Sequence, residues 1–161
     1  MKAALAAWLL TSFIACSSSS PPPDEASKFV GTWTYRPGSA IVAACAGAAA
    51  QTIDLAKVPP QNQPGFFTFS PGGGSSLQEV DARGCRYDWS VAGEVANAAA
   101  GQSCASFPDG RGGNRLVHLV SGTKSTADGA SMDVDVQFET DPPSSCAIRV
   151  RGTATKSSSG A

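Results

Sequence analysis

Few residues in this 161-residue chain could do chemistry. The single histidine, His118, stands in Leu116-Val117-His118-Leu119-Val120. An imidazole in such an apolar run reads as a half-buried strand residue rather than a general base. Ser103 follows Gly101-Gln102 and precedes Cys104-Ala105. A nucleophile elbow needs a second Gly where Ala105 stands and a helix beyond it, and neither is present. Gly72-Gly73-Gly74 and the stretch from Gly110 to Gly113 lack the Lys-Ser/Thr and helix of a phosphate loop. No two carboxylates stand in recognisably opposed environments, as acid–base pairs require. The chain is therefore expected not to be an enzyme and to carry no cofactor.

The thiols are more informative. There are five cysteines, and Cys16 stands apart from the others. It follows Lys2 and an apolar run from Ala3 to Ala15, which is too short to span a bilayer and suits the core of an export signal. Phe13-Ile14-Ala15-Cys16 resembles the bacterial lipobox, with Phe13 where Leu is usual. That resemblance implies cleavage after Ala15, a lipidated Cys16 and a membrane anchor, each buried CH₂ contributing about 0.8 kcal/mol. Ser17 after the Cys fits outer-membrane sorting. Ser17 to Pro23 (SSSSPPP) is a flexible-then-stiff tether. The expected organisation is a signal peptide over 1–15, a lipidated Cys and tether over 16–27, a β-domain over 28–156, and a disordered tail over 157–161.

Cys45, Cys85, Cys104 and Cys146 remain. Metal binding is disfavoured, because there is no C-x-x-C and only one His. An even set in an exported chain reads as two disulfides, with three connectivities open. Cys85–Cys104 with Cys45–Cys146 is favoured. Residues 85 and 104 suit the arms of one hairpin, and closing that loop contributes roughly 3 kcal/mol.

The elements that position these groups must be built from little bulk. Of the 161 residues, 42% are hydrophobic, but 26 are Ala and only 29 are Val, Ile, Leu or Phe. Net charge is −1. That excludes a strongly basic nucleic-acid binder, and Arg83, Arg86, Arg111 and Arg115 are scattered. Turn residues punctuate the chain at short intervals. Strands are expected over 29–36, 40–45, 51–55, 65–70, 77–81, 85–91, 94–99, 115–122, 131–140 and 146–155. This is an all-β antiparallel meander of about 8–10 short strands, either a barrel or a β-sandwich.

The last hairpin can be registered. Met132, Val134, Val136 and Phe138 alternate with polar residues, and Cys146, Ile148 and Val150 alternate with Ala147, Arg149 and Arg151. A turn near Pro143 pairs Phe138 with Ile148, Val136 with Val150, Asp135 with Arg151 and Gln137 with Arg149. Both faces then agree, one apolar and one charged.

Gly31-Thr32-Trp33 resembles the G-x-W motif that opens the first strand of lipocalins and related calycin barrels. The resemblance implies a lipocalin-like barrel whose floor is closed by Trp33, with Arg149 or Arg151 packed across the indole. The run on to Gly38-Ser39-Ala40-Ile41-Val42 also looks like the opening of avidin-type barrels, without the further aromatics of a biotin site. The lipobox, tether, Gly84-Cys85-Arg86-Tyr87-Asp88-Trp89 and Gly101-Gln102-Ser103-Cys104 together resemble small lipid-anchored β-proteins of myxobacterial type. That likeness implies a fold and no activity.

Phe67 and Phe69 share one face of a strand, and Tyr87 and Trp89 share one face of another. They are either the core itself or the lining of a cavity for a small apolar molecule or lipid. Two functions follow for an anchored envelope protein. One is a barrel that binds an apolar ligand. The other is a filled-core module, structural or inhibitor-like, that contacts another envelope protein.

Overall fold

The computed structural model describes residues 23–57, 65–72, 77–108, 114–142 and 145–157. The export signal, Cys16, the start of the tether, the turns at 59–64 and 110–113, and residues 158–161 lie outside the described residues.

A short helix α1 (Pro23–Ser27) precedes eleven strands. These are β1 (Gly31–Tyr35), β2 (Ala40–Cys45), β3 (Gln51–Asp54), β4 (Phe66–Pro71), β5 (Leu77–Asp81), β6 (Arg86–Ala92), β7 (Val95–Ala98), β8 (Gln102–Pro108), β9 (Asn114–Ser125), β10 (Ser131–Thr140) and β11 (Cys146–Lys156). Every pairing is antiparallel. The circuit β1-β4-β5-β6-β7-β9-β10-β11 closes on itself through β1 and β11, giving an eight-stranded barrel. The expected meander is thus a barrel rather than a sandwich.

The remaining strands extend the wall. The early part of β9 pairs with β8 and its end with β7. Likewise β11 pairs with β2 over Cys146–Arg151 and with β1 near its end. The long strands β9, β10 and β11 therefore run past the barrel into a flared sheet edged by β8 and β3. The β10–β11 register matches every pair expected from the two-face argument: Phe138 with Ile148, Val136 with Val150, Gln137 with Arg149 and Asp135 with Arg151.

Gly152 lies where β11 changes partner. Its φ of 149° is one that L side chains rarely adopt, and Ser39 fills the space a Cβ would need. The Ser39 hydroxyl donates to the Thr153 carbonyl at 2.9 Å and accepts from the Thr153 N–H at 3.1 Å. It stands in for the ladder bonds lost where β1 breaks into β2.

Three elements differ from expectation. Strand β8 was not anticipated, because residues 102–108 carry only one large apolar residue, Phe107. Strand β9 continues to Ser125, past the expected end at 122. Helix α1 occupies the segment read as tether: Ala26 packs on the core, and the Glu25 carboxylate accepts from the Gly93 N–H at 3.0 Å.

Inside the barrel, Trp33, Phe67, Phe69, Leu77, Trp89 and Met132 are all essentially inaccessible to solvent. Phe67–Phe69 and Phe69–Trp89 meet edge-on, with centroids 5.6 and 5.8 Å apart. Small residues accommodate them. Ala96 and Ala154 are fully buried, and a Cβ on Gly122 would meet Trp89 at 3.0 Å. One end is plugged by Phe29 and Trp33, whose indole N–H donates to the Phe29 carbonyl at 2.6 Å.

Candidate functional site at the barrel mouth

The four aromatics singled out as cavity lining do face the interior together. What they surround is an ion pair. The Lys124 ammonium donates to Glu79 Oε1 at 2.7 Å, and the two side chains are 1% and 7% exposed. The ammonium also lies over the Phe67 ring, 3.4 Å from its centroid, and 4.9 Å from that of Trp89. Burial pushes the Lys124 ammonium down from its ordinary value, while the Glu79 carboxylate pulls it back.

Strand pairing explains the assembly. In β5 and β6, Glu79 is directly opposite Tyr87, and Leu77 is opposite Trp89, so all four share one face of a single hairpin. Phe69 on β4 is opposite Glu79. Lys124 arrives from β9, opposite Ala96 on β7 and Val134 on β10.

Towards the flared end a cavity of about 40 Å³ remains, bordered by Glu79, Tyr87, Trp89 and Lys124 within and by Tyr35 and Phe66 further out. Among the residues that border it, three side-chain atoms closed to solvent have no hydrogen-bond partner among the described residues: Glu79 Oε2, Tyr87 Oη and Trp89 Nε1. Burial, with Asp81 next in effect, pushes the Tyr87 hydroxyl up to about 12. Burial, then Glu79 and Asp81, pushes Tyr35 up further still. At the rim, Arg83 and Asp81 pair at 2.8 Å.

The two disulfides join Cys45 to Cys146 and Cys85 to Cys104. The first links neighbouring strands in the flare, where Cys146 is opposite Cys45. The second ties the end of the β5–β6 turn to β8, bracing the mouth.

Trp33 does sit at the closed end, but its expected partners are elsewhere. Neither Arg149 nor Arg151 packs across it. Arg149 makes two hydrogen bonds to Asp135, at 2.7 and 2.6 Å, and Arg151 lies 3.4 Å from the same carboxylate. The cation over Trp33 is Lys156, 5.0 Å from the ring centroid, with its ammonium donating to the Lys28 carbonyl at 2.8 Å. The reason is positional. Residues 149 and 151 belong to the part of β11 that lies beside β2, whereas Lys156 is opposite Trp33 in the β1–β11 ladder.

His118 has a carboxylate neighbour, Asp141, at 2.9 Å, and Ser103 is its cross-strand partner on β8. The His and Asp side chains are 41% and 50% exposed and border none of the cavities described. Among the described residues no group of three or more His, Cys, Asp or Glu is placed to hold a metal ion.

Glu79 and Lys124 did not emerge from sequence reasoning. Glu79 carried a signal, since it shares the strand phase of Leu77 and so points inward. Lys124 carried none. A register shift between Gln137 and Phe138, opposite Val120, moves β9 by one residue, so that Leu119 and Lys124 both face inward despite odd and even positions.

No family model matches this chain, and no curated protein or solved structure shows significant similarity to it.

Proposed function

We propose that this chain is a lipid-anchored lipoprotein of the bacterial outer membrane, and that its barrel is a non-catalytic module acting by contact with another envelope protein. The observation that carries the choice is the filled interior. About 40 Å³ is left among Phe67, Tyr87, Trp89 and Lys124, against the roughly 300–1,000 Å³ of ordinary ligand pockets. A lipid or drug-sized apolar molecule would have to separate those side chains and break the Glu79–Lys124 pair.

The outside supports the same reading. Strand β3 pairs only with β2 among the described residues, and Ile53 on it is 42% exposed. Such an edge can accept a strand from a partner. Val42 and Val120 are also exposed, and both border one shallow groove on the flared sheet. Lipocalin-like kinship rests on Gly31-Thr32-Trp33 and the barrel, and lipidation on the lipobox resemblance.

Native mass spectrometry of the lipidated protein extracted from its own membrane tests the function. Stoichiometric co-purification of another protein is expected. A stoichiometric apolar small molecule retained without a protein partner would overturn the contact reading and favour a ligand-carrying barrel. Mass analysis of the N-terminal peptide tests the anchor, since an unmodified Cys16 would exclude it.

A further inference from the structure

We propose that the Cys45–Cys146 disulfide is a redox clasp on the β2–β3 hairpin. A dithiol reductant opens it in the folded protein, and the hairpin then comes away from β11 while the barrel stays closed. The basis is how that hairpin is held. Among the described residues, no side chain of the hydrophobic core cluster lies on β2 or β3. Val42 on β2 and Ile53 on β3 are exposed. Strand β3 pairs only with β2 among the described residues, so the two strands hang on β11 as one unit.

Three things fasten that unit. At its base the Leu55 N–H donates to the Ser39 carbonyl at 2.8 Å, and the Leu55 side chain is buried. Along its length β2 is paired with β11 from Ala40 to Cys45. At its tip the disulfide joins two residues that stand directly opposite each other. Alanines at 40, 43 and 44 give the ladder little apolar burial. An edge segment with few buried apolar contacts opens locally, well before the whole fold. The covalent bond is therefore what keeps the tip shut.

The second disulfide supplies the contrast. Cys85 is 1% exposed and belongs to the core cluster, and Cys104, although half-buried, packs against that cluster. Cys45 and Cys146 are both half-buried, beside the exposed Ala44 and Ala46 at the end of the flare. Thiol–disulfide exchange needs a thiolate to reach a sulfur, so access selects the Cys45–Cys146 bond. One thiolate of the dithiol attacks one of these sulfurs, and the other leaves and takes up a proton. The reductant's second thiol then attacks the mixed disulfide. The dithiol departs as a disulfide, and both cysteines are left as thiols. With the clasp shut the wall ends at β3; with it open, residues 146–151 of β11 become the edge. The clasp does not depend on the protein-contact reading, because it acts on the chain's own hairpin.

The folded full-length protein is treated with graded dithiothreitol, and free thiols are alkylated without unfolding and located by peptide mapping. Hydrogen exchange is followed on the same samples by mass spectrometry. Cys45 and Cys146 are expected to be alkylated at concentrations that leave Cys85 joined to Cys104. Peptides from residues 40–54 should then exchange roughly tenfold faster or more, while those from β5, β6 and β10 keep their protection. Cys45→Ser combined with Cys146→Ser should show the same fast exchange without reductant. Reduction of the wild type after folding keeps the test independent of whether that variant folds. The proposal is overturned if neither bond opens in the folded protein, or if Cys85–Cys104 opens first or together with the clasp. It is equally overturned if residues 40–54 stay protected once the bond is open, or if the barrel strands lose protection with them.

Discussion

Lys124 and Glu79 form an ion pair at 2.7 Å in the interior of a barrel otherwise packed with aromatic and aliphatic side chains. Removing one partner leaves the other charge buried, whereas removing both leaves a space that apolar atoms can fill. Lys124→Met or Glu79→Leu alone should therefore cost about 3–5 kcal/mol, and the double variant should recover most of the loss. Urea unfolding of the three variants checks this. Additive losses would show that the pair is not coupled.

The two tyrosines make alkaline stability readable. Tyr87 has its pKa raised to about 12 by burial, and Tyr35 moves in the same direction. A group whose pKa is raised in the folded state contributes stability that is complete below its unfolded value, near 10 for tyrosine. That stability is lost as pH rises towards the folded value. Phenolate absorbance of the native protein should thus stay low through pH ~10 and rise together with loss of tertiary circular dichroism between about 10 and 12. A separate tyrosine ionising near 10 with the fold intact would contradict the burial of that ring.

Arg149 and Lys156 are both cations on β11, but their partners differ. The Arg149–Asp135 pair is over one-third exposed on each side, so solvent screens it and Arg149→Met should change stability little. Hydrogen bonding from Arg149 holds the Asp135 carboxyl below the usual carboxylate range. Its small contribution should be present above the ordinary value and fade as pH falls through the lowered one. Lys156 is partly buried, caps a carbonyl and covers Trp33. Lys156→Met should therefore destabilise more than Arg149→Met, by denaturant midpoint.

Two glycines with positive φ allow strain and crowding to be separated. Gly38 has φ 91° and open space where a Cβ would go, while Gly152 has φ 149° with Ser39 in that space. Gly38→Ala should cost about 1–2 kcal/mol from backbone strain. Gly152→Ala should cost clearly more, and Ser39→Gly beside it should recover part of the difference. Thermal melts of the three proteins measure this.

Alternation along 132–138 and 146–150 determined the last hairpin by itself, because a one-residue slip would turn both apolar rows into water. The inward placement of Phe67, Phe69, Tyr87 and Trp89 follows from the same period of two, and so does the buried phase of Glu79. Even the pairing of cysteines was approached by a local argument, since 85 and 104 flank one compact stretch of chain. What the sequence could not determine depends on strands far apart meeting. Barrel closure rests on β1 and β11 at opposite ends of the domain, and no local pattern records that contact. The break at Gly152 assigns Lys156 rather than Arg149 or Arg151 to Trp33, and the bulge opposite Val120 turns Lys124 inward to meet Glu79. The first is a change of strand partner and the second a one-residue shift of phase, which alternation cannot reveal and only the folded wall fixes.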